Sequence, residues 1–172
     1  AGYERFFATG LVSATLFDSD YDELIFFASD FRYRNIAAAS ARGIELAAQK
    51  RIGAFDTAVS YTWLDAVDEA TQDPLIRRPE HSGSLAAGYA PGALQAHVVV
   101  TYAGQRDDVT DLLPYGRVTN GAYTTADIVL RYELGGFAPY LKVENVTGEQ
   151  YEEVFGYASS GRRIRAGIRF RR

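Results

Sequence analysis

Apolar and polar residues alternate with a period of two along most of this chain. The stretch from 163 to 171, RIRAGIRFR, shows it most clearly: Ile164, Ala166, Ile168 and Phe170 fall on one face of an extended strand, and Arg163, Arg165, Arg169 and Arg171 on the other. Successive side chains of a strand point to opposite faces, so this spacing separates apolar from charged groups completely. A chain that repeats the pattern places one face in lipid and the other in a polar, crowded interior. The pattern predicts an all-β fold, the antiparallel wall of a transmembrane β-barrel.

Turn residues divide the chain into about nine such strands. The first is 2–7, turned by Ala8-Thr9-Gly10, and the second runs from Leu11 to about Asp22, followed by an aromatic and acidic stretch through Arg34. The third, 43–51, sets Ile44, Leu46 and Ala48 against Glu45, Ala47 and Gln49. After the turn Ile52-Gly53-Ala54, the fourth, 55–65, sets Phe55, Thr57, Val59, Tyr61 and Trp63 against Asp56, Ala58, Ser60, Thr62 and Leu64. A polar loop, 67–79, leads to the fifth strand at 82–89. The sixth is 94–105, and a long loop follows from 106 to 122. The seventh is 123–134, the eighth 137–146, and a loop at 147–162 leads to the ninth at 163–171.

Short and long connections alternate strictly, as they do in outer-membrane barrels, where short turns face the periplasm and long loops face outside. Aromatic residues gather at both ends of the apolar faces. Phe55, Tyr89, Tyr132, Phe137 and Phe170 lie near short turns, and Tyr61, Trp63 and Tyr102 near long loops, as two interfacial girdles would. Pro139 cannot donate to a sheet ladder, and it stands where that matters least, beside the turn.

Composition narrows the classes further. The chain has 172 residues and no cysteine, which excludes disulfides and thiolate metal sites. A net charge of -4 argues against nucleic acid as a partner. His81 and His97 are the only histidines, too few for a histidine-rich metal centre. No run of about 20 apolar residues is present, so a spanning helix is excluded. The opening AGYERFF already reads as strand, without a basic-then-apolar leader, and points to a piece of a longer protein.

The predicted inward face of the last strands is strongly charged: Asp127, Arg131 and Glu133, then Lys142 and Glu144, then Arg163, Arg165 and Arg169. Cross-strand pairing should bring Glu144 near Arg163 or Arg165, and Asp127 near Lys142. Such a lumen either docks a plug domain and guides a ligand or is filled by its own salt bridges. The small inward residues Ala58, Ser60, Ser84, Ala86 and Gly88 favour the first reading, because they leave space. Asp18-Ser19-Asp20-Tyr21-Asp22-Glu23 imitates the start of a calcium loop. It has Glu23 where glycine is needed and Ser29 at the twelfth position, so it reads as a solvated acidic loop, as do Asp107, Asp108 and Asp111. Aromatic and basic residues interleave in the long loops: Phe26, Phe27, Phe31, Tyr33, Tyr115, Tyr151, Phe155 and Tyr157, with Arg77, Arg78, Arg106 and Arg117. These form either a receptor surface for a large amphipathic ligand or loop packing that seals the barrel mouth. No catalytic motif is present, since His81-Ser82 lacks any nucleophile elbow or triad. Neither a cofactor nor a metal site is expected.

Val143-Glu144-Asn145-Val146, then Tyr151-Glu152-Glu153, Gly156-Tyr157 and Gly161-Arg162 before an alternating last strand, resembles the end of TonB-dependent outer-membrane receptors. Gly43-Ile44-Glu45, Tyr61-Thr62-Trp63-Leu64-Asp65-Ala66 and Leu75-Ile76-Arg77-Arg78-Pro79-Glu80-His81 are similar to the same family, in its cobalamin and siderophore branch. The resemblance covers essentially the whole chain. It implies residues 1–172 as the last nine strands of a 22-stranded barrel in a Gram-negative outer membrane. The plug and the rest of the barrel would be missing from this piece, and the parent would contact TonB. The implied function is import of a scarce, bulky corrinoid or ferric siderophore by loop binding and plug gating, with the loop residues Arg77, Arg78, Arg106, Tyr115, Arg117, Tyr151, Phe155 and Tyr157 on the ligand. Val146-Thr147-Gly148 and the ending Phe170-Arg171-Arg172 differ from the family's usual sequences. The alternative is a self-contained small outer-membrane barrel with a structural or adhesive role. Whether the first and last strands pair with each other decides between the two.

Overall fold

The computed structural model describes residues 1–27, 32–110, 112 and 116–170. Its strands are β1 (Gly2–Phe7), β2 (Gly10–Phe27), β3 (Tyr33–Ile52), β4 (Phe55–Asp68), β5 (His81–Tyr89), β6 (Leu94–Ala103), β7 (Arg106–Thr110), β8 (Gly116–Asn120), β9 (Tyr123–Tyr132), β10 (Phe137–Glu144), β11 (Glu152–Val154), β12 (Tyr157–Ala158) and β13 (Arg163–Phe170). Nine of them form one sheet in the order β1-β2-β3-β4-β5-β6-β9-β10-β13, antiparallel throughout. Turns such as Gly53-Ala54 return the chain at once, and Gly53 supplies the φ of 59° that such a turn requires. The strands β1 and β13 stand at opposite edges of the sheet and do not pair. The reading as a small, self-contained closed barrel is therefore corrected: this is an open wall.

Residues directly opposite in a ladder share a face, so the register fixes both faces of the wall. One face carries Leu46↔Tyr61, Val59↔Leu85, Val98↔Ile128, Leu141↔Ala166 and Phe137↔Phe170. The other carries Ala58↔Ala86, Ser60↔Ser84, Gln95↔Arg131, Lys142↔Arg165 and Glu144↔Arg163. Among the described residues, only Ala39, Ala66 and Ala138 are buried apolar side chains, whereas Leu16, Val59, Leu85, Leu130, Ile164 and Ile168 are exposed. A water-facing domain rarely shows so continuous an apolar surface, and lipid contact accounts for it. Among the predicted girdle residues, Phe55 stacks on Tyr89 with centroids 4.2 Å apart, and the Trp63 indole donates to Glu80 at 3.0 Å.

Several sequence expectations are corrected. The acidic run at 18–23 is not a loop. It lies within β2, whose pairing with β3 runs from Gly10↔Lys50 to Phe27↔Tyr33. Asp18 faces Arg42 across that ladder, and Arg42 binds Asp65 at 2.8 Å. No group of three or more metal-ligating side chains occurs among the described residues. The long loops 106–122 and 147–162 are not irregular throughout, because each folds a small hairpin, β7–β8 and β11–β12. Asp127 lies opposite Val99 and accepts from the Asn145 amide at 2.9 Å, instead of meeting Lys142. The eighth strand ends at Glu144 because Asn145 turns the backbone to a φ of 51°. Phe31 and Tyr115 lie outside the described residues.

Candidate functional site

The long connections converge at one end of the wall, and one carboxylate ties them. Asp108 of β7 is 0% exposed. Its Oδ1 accepts from Arg77 Nε at 2.8 Å and from the Val109 amide at 2.8 Å. Its Oδ2 accepts from Asn120 Nδ2 at 3.1 Å and from the Phe155 amide at 2.7 Å. Arg77 comes from the β4–β5 connection, Asn120 from β8, and Phe155 from the turn of the β11–β12 hairpin, so three loops meet on one side chain. Burial pushes the Asp108 carboxyl up, and the amide hydrogen bonds from Phe155 and Val109 with the Arg77 guanidinium outweigh it, holding the group below its ordinary value.

Two further arginines reinforce the tie. Arg106 is buried, donates to the carbonyl oxygens of Gly104 and Glu152, and lies over the Tyr123 ring at 5.3 Å. Tyr123 stacks on Tyr151 with centroids 3.8 Å apart and donates to Glu153 at 3.0 Å. Arg117 binds Asp107 at 2.9 Å and the Pro74 carbonyl at 2.9 Å. Three of the four predicted loop arginines thus hold loop to loop. Arg78 is exposed, and its guanidinium donates to the neighbouring Arg77 carbonyl at 3.3 Å, its one hydrogen bond among the described residues. The Phe155 side chain is half-buried, and Tyr157 is 73% exposed.

Beneath the β11–β12 hairpin a hollow of about 590 Å³ opens on the polar face, lined by Tyr151, Tyr157, Asp127, Glu144, Arg163 and Ser159 among others. It joins two sets that the sequence keeps apart, the loop aromatics and the inward charges. Glu144 is its ionic centre, 3.0 Å from Lys142, 3.5 Å from Arg163 and 3.3 Å from Arg165. Asn145 forms its floor: its amide group donates to the Glu149 carbonyl at 2.8 Å, and its side-chain oxygen accepts from the Glu149 amide at 2.9 Å. A second hollow, of about 610 Å³, lies lower on the same face, between Asp56, His97, Arg131, Lys142, Tyr140 and Arg169. The predicted inward set, Asp127, Arg131, Lys142, Glu144, Arg163, Arg165 and Arg169, therefore shares one face.

Sequence reasoning missed Asp108, Asn120 and Asn145 as organising residues. For two of them, strand parity within RDDVT and GRVTN turns Arg106, Asp108 and Asn120 to one side of a hairpin, but only once the hairpin itself is known.

A model described as the TonB-dependent receptor-like β-barrel matches residues 1–149. The chain belongs to that family, whose members are receptors and transporters, not enzymes. Among solved structures, the wall is similar to the ferric-catecholate import receptor Fiu of E. coli K12 in its closed form, with 20% identity, a TM-score of 0.76, and 93% of this chain covered by 25% of that one. It is similar to the ferripyoverdine receptor of the Pseudomonas aeruginosa outer membrane, with 15% identity, a TM-score of 0.78, and coverage of 94% and 25%. The siderophore receptor PirA of Acinetobacter baumannii gives 17% identity, a TM-score of 0.80, and coverage of 98% and 30%. The chain thus spans about a quarter to three tenths of the length of these receptors.

Proposed function

We propose that the chain is the last nine strands of a 22-stranded importer in a Gram-negative outer membrane, which takes up a bulky ferric siderophore through loop binding and TonB-driven movement of a plug. The observation that carries the reading is the loop cluster tied on Asp108, standing beside a hollow lined by Tyr151, Tyr157 and Arg163. Rings supply contact area to a large chelate, and a guanidinium grips its anionic oxygens. In this reading Arg78, Tyr115, Phe155 and Tyr157 contact ligand, while Arg77, Arg106 and Arg117 hold the loops that present them. The charged inward strip contacts the plug, and the small residues of β4 and β5 leave room for it. A ferric siderophore is favoured over a corrinoid because the similar receptors include ones for ferric catecholate and ferripyoverdine.

The test is uptake by the full-length receptor carrying this chain, with ferric catecholate, ferric hydroxamate and cobalamin as labelled probes. Replacing Arg78 and Tyr157 together by alanine should weaken uptake of the transported chelate about tenfold at limiting concentration, with the amount of receptor in the membrane unchanged. Uptake of cobalamin alone would move the ligand to the corrinoids. Unchanged uptake by the double variant would remove these two residues from the site.

A further inference from the structure

The apolar face holds a groove that the transport reading does not use. It lies near the short turns, has a volume of about 520 Å³, and is lined by Phe7, Gly10, Val12, Ala48, Lys50 and Leu85 among others. Register sets Phe7 opposite Gly10, Gly10 opposite Lys50, and Lys50 opposite Thr57, so these residues form one row across the apolar face of β1 to β4. The next row is Arg5, Val12, Ala48, Val59 and Leu85, with the Arg5 guanidinium over the Phe7 ring at 5.1 Å. Small residues at Gly10 and Ala48 make the depression. It cannot fill easily at Gly10, where a Cβ would stand 2.4 Å from the Gln49 carbonyl oxygen.

Lys50 is out of place on this face. The chain's only other lysine, Lys142, faces the polar side beside Glu144. The Lys50 side chain is exposed, and no carboxylate among the described residues pairs with it. It stands two residues before the end of β3, about 7 Å along the strand, within reach of the headgroup level for a lysine stem. Below that row, the stacked Phe55 and Tyr89 mark the interface.

We infer that this groove is a retention site for one glycerophospholipid of the leaflet on the short-turn side, with an acyl chain lying over Gly10, Ala48 and Val12 and the phosphate on the Lys50 ammonium. Charge complementarity selects this occupant. The groove is mostly apolar, and of the two basic residues beside it Arg5 lies over the Phe7 ring, whereas Lys50, without a carboxylate partner among the described residues, stands at the end where a phospholipid places its phosphate. The inference rests on the outer-membrane reading.

Native mass spectrometry of the full-length receptor, released from micelles containing phosphatidylglycerol, tests it. The wild type should keep one phospholipid under activation that strips the rest. Lys50→Gln should lower that retained fraction about fivefold, and Lys50→Arg should keep it. Ala48→Leu, which fills the groove, should lower it as well. Equal retention by wild type and Lys50→Gln would overturn the site, and so would loss in Ala48→Leu alone, since the phosphate contact would then be idle. Membrane fractionation separates the two readings: a receptor absent from the membrane fraction fails the outer-membrane reading itself, whatever the lipid count.

Discussion

A buried carboxylate with four donors is expensive to make and more expensive to break. Asp108 satisfies both oxygens twice over, and removing them would leave the Val109 and Phe155 amides and the Arg77 guanidinium without their acceptor. Asp108→Ala should therefore cost the loop cluster about 3 kcal/mol. Hydrogen exchange would read this as faster exchange across 106–110, 116–120 and 152–158, with β4 to β6 unaffected. The pH dependence has a definite sign. A carboxyl held below its ordinary value contributes stability that is complete above that value and is lost as pH falls through the lower folded one. Protection of the cluster, taken relative to the intrinsic exchange rate at each pH, should stay flat from pH 7 to about 4 and fall only below that. None of this was legible from the DD pair at 107–108, which reads as two solvated acids. One step of strand parity buries Asp108 and leaves Asp107 at the surface on Arg117. The partners that decide the matter stand 31 and 47 residues away in sequence.

At the scale of elements the sequence was far more informative. Turn residues and period-two alternation placed the nine strands of the main sheet, and alternation gave both faces from β3 onward, because a residue on the wrong face of a lipid-spanning strand is costly. Strand ends were less legible. The sequence reading stops the second strand near Asp22, inside the acidic run, but acids that stand beyond the apolar band face water and continue the ladder freely. The small hairpins β7–β8 and β11–β12 are too short for their alternation to stand out from loop composition. Gly43 shows what local composition conceals. A Cβ there would stand 2.4 Å from the Trp63 carbonyl and 2.5 Å from the Phe17 ring. Gly43→Ala should destabilise the β2–β3–β4 unit by about 1–3 kcal/mol. Adding Phe17→Ala should restore only part of it, because the carbonyl cannot move aside. Heat-modifiable electrophoretic mobility of the full-length receptor would report both.

As a whole, the molecule is a wall with two open edges. The outward edges of β1 and β13 present unpaired amides and carbonyls, which lipid cannot satisfy. The 172-residue chain refolded alone into vesicles should give aggregates or mixed oligomers, and the same residues within the full receptor should give a protease-resistant barrel. A compact, heat-modifiable monomer of the isolated chain would contradict the open-wall reading.

The shared anchor at Asp108 also bears on how such a surface can diversify. Loops that each closed on themselves could be exchanged one at a time between relatives, as interchangeable parts. Here the β4–β5 connection supplies Arg77, the next hairpin supplies Asp108 and Asn120, and the last supplies the Phe155 amide. A chimera carrying a single foreign loop inherits a broken joint. The three loops form one cassette, and grafting new recognition onto this scaffold calls for moving all of them together.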